Sequence, residues 1–310
     1  MHIDVVAAFF LLGAIAQLLK APLNMPKGLY QSLTMFLLIA IGLKGGIALA
    51  SHASIEMLWQ SITILFFGAL LPFIAYPILL KIGGLSRVDS ASIAAHYGSV
   101  SVATFAVALA VLEANNIDYE PYFPLFVALL EVPAIAVGLW LARDKNQKLN
   151  VKKVAHEIFL NQGVLLLVGA LFIGWWAGER SDKLMPFFGT LFHGVLALFL
   201  LEMGRVAASR LNLLRTYGSF IASFGVMMPI IGATLGAGTA VAMDLTVGGT
   251  ILLTTLGGSA SYIAVPAAMA VALPQANQSL SITASLSVTF PFNVLVGIPL
   301  YSALIIEFLA

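Results

Sequence analysis

The sequence predicts an all-α integral membrane protein: ten transmembrane helices in two inverted five-helix repeats, the fourth and ninth helices broken near the midplane. Three observations lead there. The chain of 310 residues is 60% hydrophobic and 9% charged, with a mean hydropathy of +1.00, whereas a soluble domain carries roughly 25% charged residues. Its apolar residues fall into ten stretches of helical spanning length, with none of the alternation that a membrane β-barrel needs. Two of those stretches are interrupted at corresponding places by clusters of small and hydroxylated residues.

The expected spans, in order, are 4–19, 28–50, 57–82, 90–112 and 121–142, then a polar linker at 143–157. The second set is 158–177, 186–207, 217–240, 245–273 and 282–309. Met1-His2-Ile3-Asp4 is not a basic leader, so the first span is expected to be a retained helix and not a cleaved signal. The basic residues test the count. One set of alternate loops holds Lys20, Lys27, Lys81, Arg87, Arg143, Lys145, Lys148, Lys152, Lys153, Arg205, Arg210 and Arg215, whereas the opposite set holds Arg180 and Lys183. By the positive-inside rule the richer set faces the cytoplasm, which places both termini outside a cell inner (plasma) membrane.

The linker divides the spans into five and five, so 1–142 and 158–310 are expected to enter the membrane from opposite sides, as inverted repeats do. Gly98-Ser99-Val100-Ser101 matches Gly258-Ser259-Ala260-Ser261 at an offset of 160 residues. Phe36-Leu37-Leu38 leading to Gly42 resembles Phe199-Leu200-Leu201 leading to Gly204, and Glu131-Val132-Pro133 parallels Thr289-Phe290-Pro291. One bundle of two halves is expected, not two separate domains.

A helix broken inside the membrane is tolerated only where its freed backbone faces protein or a water-filled cavity. Each half-helix that starts after a break aims free N–H groups and the positive end of its dipole at the centre. Two such ends from opposite sides make an anion site without arginine. The candidate substrate-binding residues are therefore Gly98, Ser99, Ser101 and Thr104 in the first break, with Gly258, Ser259, Ser261 and Tyr262 in the second. The competing account is that glycine and serine only let helices pack closely.

Charges within spans are costly and rarely idle. Glu131, in the middle of the fifth span, is read as a cation ligand or proton carrier, or else as a buried acid paired for structure. Lys44 lies roughly 9 Å from the end of the second span at 1.5 Å per residue. It either snorkels to the interface or supplies a fixed positive charge near the site. Glu202 and Arg205 are spaced for an i,i+3 ion pair. His96 and His193 read as packing residues, Glu113 as the end of the fourth span, explained by a solvated outer loop with Asn115 and Asp118, and Asn293 as a partner for backbone freed by Pro291.

Several function classes fall away. There is no nucleophile–base pair, phosphate-binding loop or metal-spaced cluster, so no enzyme is expected. Nothing resembles a repeated selectivity filter. A net charge of +1 gives no reason to expect nucleic acid, and with no cysteine there are no disulfides or thiolate metal sites.

The segments MFLLIAIGLKGGIALA, GSVSVATFAVALAVLEANNIDYE, LLEVPAIAV, LFLLEMGRVAASRL and GGSASYIAVPAAMAVALPQANQSLSITAS, with the tail FNVLVGIPLY, span both halves in order. Taken together they resemble the sodium-dependent bicarbonate transporter family. The resemblance implies ten helices in inverted repeats, a homotrimer, and bicarbonate moved with Na+ as coupling ion and no other cofactor. It also implies a cytoplasmic PII-like regulator as partner, besides membrane lipid, and places the substrate at Gly98–Thr104 and Gly258–Pro266, with an acid at Glu131. Three departures stand out. Tyr262 replaces an aspartate after the serines, Lys44 replaces a threonine, and the mid-chain loop is only about fifteen residues long. A lost anion and a gained cation both make the local field more positive, so Lys44 is expected to stand in for a coupling cation and, with Glu131, to carry the ion coupling. The expected function is cation-coupled symport of bicarbonate by alternating access. Proton-coupled transport of another small carboxylate or anion, and a membrane receptor that binds an anion without moving it, remain open alternatives.

Overall fold

The computed structural model describes residues 5–23, 25–52, 54–143, 155–156 and 160–309, and every regular element among them is helical. The elements are α1 (Val5–Leu18), α2 (Lys27–His52), α3 (Ile55–Pro77, extended by a π turn at Ile78–Ile82), α4 (Arg87–Gly98), α5 (Val102–Ala114) and α6 (Phe123–Ala142). After the linker come α7 (Gln162–Ala177), α8 (Phe192–Ser209), α9 (Leu211–Ala242), α10 (Val247–Gly257) and α11 (Ala264–Ala272). The last, α12 (Gln278–Leu309), widens into π turns at Thr283–Thr289 and Asn293–Gly297, on either side of Pro291. Most of the expected linker, and Met1 to Asp4, lie outside the described residues.

Eight helical segments are long and apolar enough to cross a membrane, so the chain is a multi-pass membrane protein. The exceptions are the first expected span and the ninth. The first is α1, with 14 residues. The ninth is split into α10 and α11, of 11 and 9 residues. The starts follow from local chemistry, because Ser54, Ser86, Asn161, Thr246 and Asn277 each accept a first-turn amide with the side chain. Two boundaries differ from expectation. The seventh span begins at Phe192, because 178–188 is taken up by a 3-10 turn and one short helical turn. The eighth span, expected from 217, is reached by a helix that already starts at Leu211 and bends at Gly218, whose φ of +82° suits glycine.

Helix packing divides the molecule into two groups that cut across the two sequence halves. In one group α1 lies along α8 and α2 along α7. The backbones touch there: a Cβ on Gly13 would strike the Leu201 carbonyl, and one on Gly204 the Phe10 carbonyl. Likewise Gly42 meets Leu167, and Gly174 meets the Leu43 carbonyl. Without a hydrophobic driving force between helices in lipid, such close approach supplies much of the association. The second group holds α3, α4 and α6 from the first half and α9, α10 and α12 from the second, with α5 packed on α10 and α11 on α4 and α6. It is tied at both ends. Glu120, just before α6, accepts the Thr246 amide at the start of α10 at 2.7 Å. Asp89, in the first turn of α4, accepts the Asn277 amide at the start of α12 at 2.7 Å.

Candidate functional site

The two interruptions meet inside the second group. α4 ends at Gly98, and Ser99, Val100 and Ser101 run without helical structure before α5 starts at Val102. Ser101 caps α5, its Oγ accepting the Thr104 amide at 3.1 Å. α10 ends at Gly257, and the chain turns through Gly258–Ile263 before α11 starts. The breaks are bonded to each other. The Ser101 amide donates to Ser259 Oγ at 3.1 Å, and the Ser261 amide donates to the His96 carbonyl at 2.8 Å. The His96 ring returns the bond, with Nδ1 2.6 Å from the Ser261 carbonyl. Only a donor can face a carbonyl, so Nδ1 carries the proton.

These bonds account for some of the backbone groups that the breaks release. Ser259 Oγ donates to the Leu256 carbonyl at 2.8 Å, and Asn293 Nδ2 donates to the Gly258 carbonyl at 2.7 Å. Asn293 thus does serve freed backbone, though that of the second break and not of its own helix. At the start of α5 the amides of Val102 and Ala103 have no intrahelical acceptor. Val102 lies at a cavity of about 20 Å³, room for one or two waters, lined also by Ser101, Ser261, Tyr262, Ala264 and Glu131 among others. Two helix starts, their hydroxyls and one carboxyl therefore share a single small chamber.

Glu131 is 4% exposed. It accepts a hydrogen bond from Ser99 Oγ at 2.8 Å and has no cation within ion-pair distance among the described residues. Tyr262 packs edge-on against Phe290, ring centroids 5.2 Å apart, with its hydroxyl beside the Ser101 side chain. The Thr104 hydroxyl is buried and unpartnered among the described residues. Gly98 and Gly258 sit in close packing, Gly98 against Pro72 and Gly258 against the Pro229 carbonyl.

Beside the chamber, and sharing Leu38, Gly163 and Ile263 with it, is a larger vestibule of about 180 Å³. It is lined by Tyr30, Gln31, Thr34, Asn161 and Gln162, with no ionised side chain among the described residues.

The sequence of this chain matches the profile of the Na+-dependent bicarbonate transporter superfamily over residues 5–306. The chain belongs to that superfamily. Comparison with curated proteins gives no match. Membership, with an all-helical membrane architecture, makes the protein a non-enzyme of a transport family.

The structure brings together Ser99, Ser101, Ser259, Ser261, Tyr262 and Glu131. It does not bring Lys44. That residue lies on α2 roughly 9 Å, six residues, beyond Leu38, where its Nζ pairs with Glu113 Oε1. Glu113 ends its span as expected, in the last turn of α5, but its carboxylate is taken up by partners and not left to a solvated outer loop. His193 also has a partner, its Nε2 3.5 Å from Glu113 Oε2. The i,i+3 pair holds as expected, with Arg205 donating to Glu202 at 2.9 and 2.5 Å. His96 was the residue that the pattern alone undervalued. The available signal was its position two residues before a break, where a side chain can reach the facing backbone.

Proposed function

We propose that this protein is a secondary transporter that carries bicarbonate together with a cation, the site being exposed alternately to the two sides of the membrane. One observation supports it above the rest: the starts of α5 and α11, with Ser101 and Ser261, converge on one chamber that also holds Glu131. Amide dipoles and hydroxyl donors suit an oxyanion, and a lone carboxylate among hydroxyl oxygens suits a hard monovalent cation better than a transition metal. No cluster of metal-ligating side chains exists among the described residues.

The inverted-repeat reading, with halves 1–142 and 158–310, draws support from mirrored contacts. The first helix of each half lies along the second helix of the other, α1 with α8 and α7 with α2. Gly13 and Gly174 take equivalent places in these pairs, as do Gly204, against the Phe10 carbonyl, and Gly46, against the Leu171 carbonyl. The ties Glu120–Thr246 and Asp89–Asn277 are reciprocal in the same sense. With the basic loops on the cytoplasmic side, the vestibule at the start of α2 opens inward.

The experiment is uptake of radiolabelled bicarbonate into proteoliposomes with and without an inward sodium gradient. Accumulation that needs the gradient supports sodium symport; binding without accumulation defeats transport altogether. One observation favours a second reading, proton coupling: Glu131 has Ser99 as its hydrogen-bond partner and no cation within ion-pair distance among the described residues, while Tyr262 stands where the resemblance implies an aspartate. Uptake in sodium-free buffer driven by a proton gradient, and lost in Glu131→Gln, would select it.

A further inference from the structure

The chamber has a way out toward the vestibule, and the opposite direction is shut. From Leu38 and Val102, both at the chamber, α2 and α5 run on to the far face, where Lys44 and Glu113 meet. Beneath that pair Ala40, Ile41, Leu109, Phe188 and Phe192 enclose a cavity of about 20 Å³. The seam is thus apolar along its length and charged at its end.

Glu113 gathers the charge. Oε1 accepts from Lys44 Nζ and, at 3.1 Å, from the Tyr119 hydroxyl, while Oε2 faces His193 Nε2. Burial and the Glu113 carboxylate push the Tyr119 hydroxyl up from its ordinary value, so it stays a donor. Lys44 and His193 stand on α2 and α8, in one helix group, and Glu113 stands on α5, in the other. Among the described residues, every side-chain hydrogen bond or ion pair between the two groups passes through Glu113. The side chains of Lys44, His193 and Glu113 are 43, 45 and 24% exposed. Ion pairs so loosely enclosed by the protein are weak, which suits a contact that must break and reform.

We propose that Lys44, Glu113 and His193 form a latch that holds the α2–α5 seam closed on the face away from the vestibule, and that releasing it exposes the chamber to that face. The inference rests on the transporter reading but not on the identity of the cargo. It places Lys44 and His193 as positioning residues for the direction of access.

The natural chain has no cysteine, so a single reporter can be read without background. In sealed vesicles, Ile41→Cys places a thiol on the seam beneath the latch. A membrane-impermeant methanethiosulfonate added at the latch face should label it slowly. Adding Glu113→Gln should speed labelling about fivefold, the population change expected from losing a contact of this strength. The exchanged pair Lys44→Glu/Glu113→Lys should bring the rate back down, which separates a latch from a folding defect. Labelling unchanged by Glu113→Gln, or a fast rate persisting in the exchanged pair, overturns the latch. Because labelling needs no substrate, a chain that labels as expected but accumulates no bicarbonate keeps the latch and loses the cargo.

Discussion

The two breaks do the same topological job by different means. The first is short, three residues, and ends in a helix whose cap is satisfied by Ser101. α5 then runs 13 residues, almost wholly buried. The second is six residues long and enters α11 at Ile263 with no side-chain cap. Its nearest substitute is Ser261 Oγ, 3.4 Å from the Val265 amide, and α11 spans only 9 residues. The first break is therefore a rigid donor platform, and the second a looser arm held through its contacts with the first. Tyr262, one of the three places where the resemblance implies a departure, lies in the looser one. A position with few local bonds to break is where ion preference can change at least cost to the fold.

The largest effect that would test this contrast is Ser101→Leu. It removes the cap of the rigid break and fills the chamber, so bicarbonate uptake should fall to background while the protein still reaches the membrane; retained uptake would demote the platform. Next is Glu131→Gln, which keeps an acceptor for Ser99 but removes the charge. Initial uptake should drop about tenfold or more, in line with losing a charge-assisted contact of ~1.5–3 kcal/mol, and dependence on the driving cation should flatten. His96→Ala deletes the ring's bond to the second break. A lost buried hydrogen bond that strands a carbonyl costs ~1–3 kcal/mol, so thermal unfolding in detergent should begin at lower temperature, and His96→Gln should recover part of the loss. The smallest effect is expected for Tyr262→Phe, which keeps the Phe290 contact. Uptake within about twofold of the parent, as for a substitution costing under ~0.5 kcal/mol, would fit a looser arm; a large loss would assign the hydroxyl a direct role.

Much of the architecture was legible because bilayer physics writes itself into composition. Apolar run lengths, glycine–serine interruptions and sorted lysines and arginines each answer a constraint that operates along the chain, so the breaks at Ser99–Ser101 and Gly258–Ile263 fall inside the broader clusters, His96–Thr104 and Leu256–Pro266, that the sequence marks out. Partnerships across the chain were not legible in that way. Lys44 and Glu113 are 69 positions apart, and nothing local to either tells that α2 and α5 finish side by side. Glu113 followed by Asn115 and Asp118 reads as a helix end at a solvated loop, and α5 does end at Ala114, but that composition says nothing of the Lys44 and His193 side chains that meet the carboxylate. The clamp at His96 was hidden for a related reason: its partner is the backbone of Ser261, and a main-chain group leaves no trace in residue identity. Expected boundaries slipped at 178–192 because aromatic and polar residues there pack as short turns, which hydropathy does not distinguish from a span.

The reciprocal end ties carry a consequence for how the molecule is made. Glu120 waits for Thr246, and Asp89 waits for Asn277, so the first half leaves the ribosome with two carboxylates whose amide partners have not been synthesised. The five early helices must therefore reside in the bilayer unlocked, and the broken pair can close only once nearly the whole polypeptide has emerged. Two fragments divided within the linker and produced together should then find each other, whereas either alone should be cleared as incomplete.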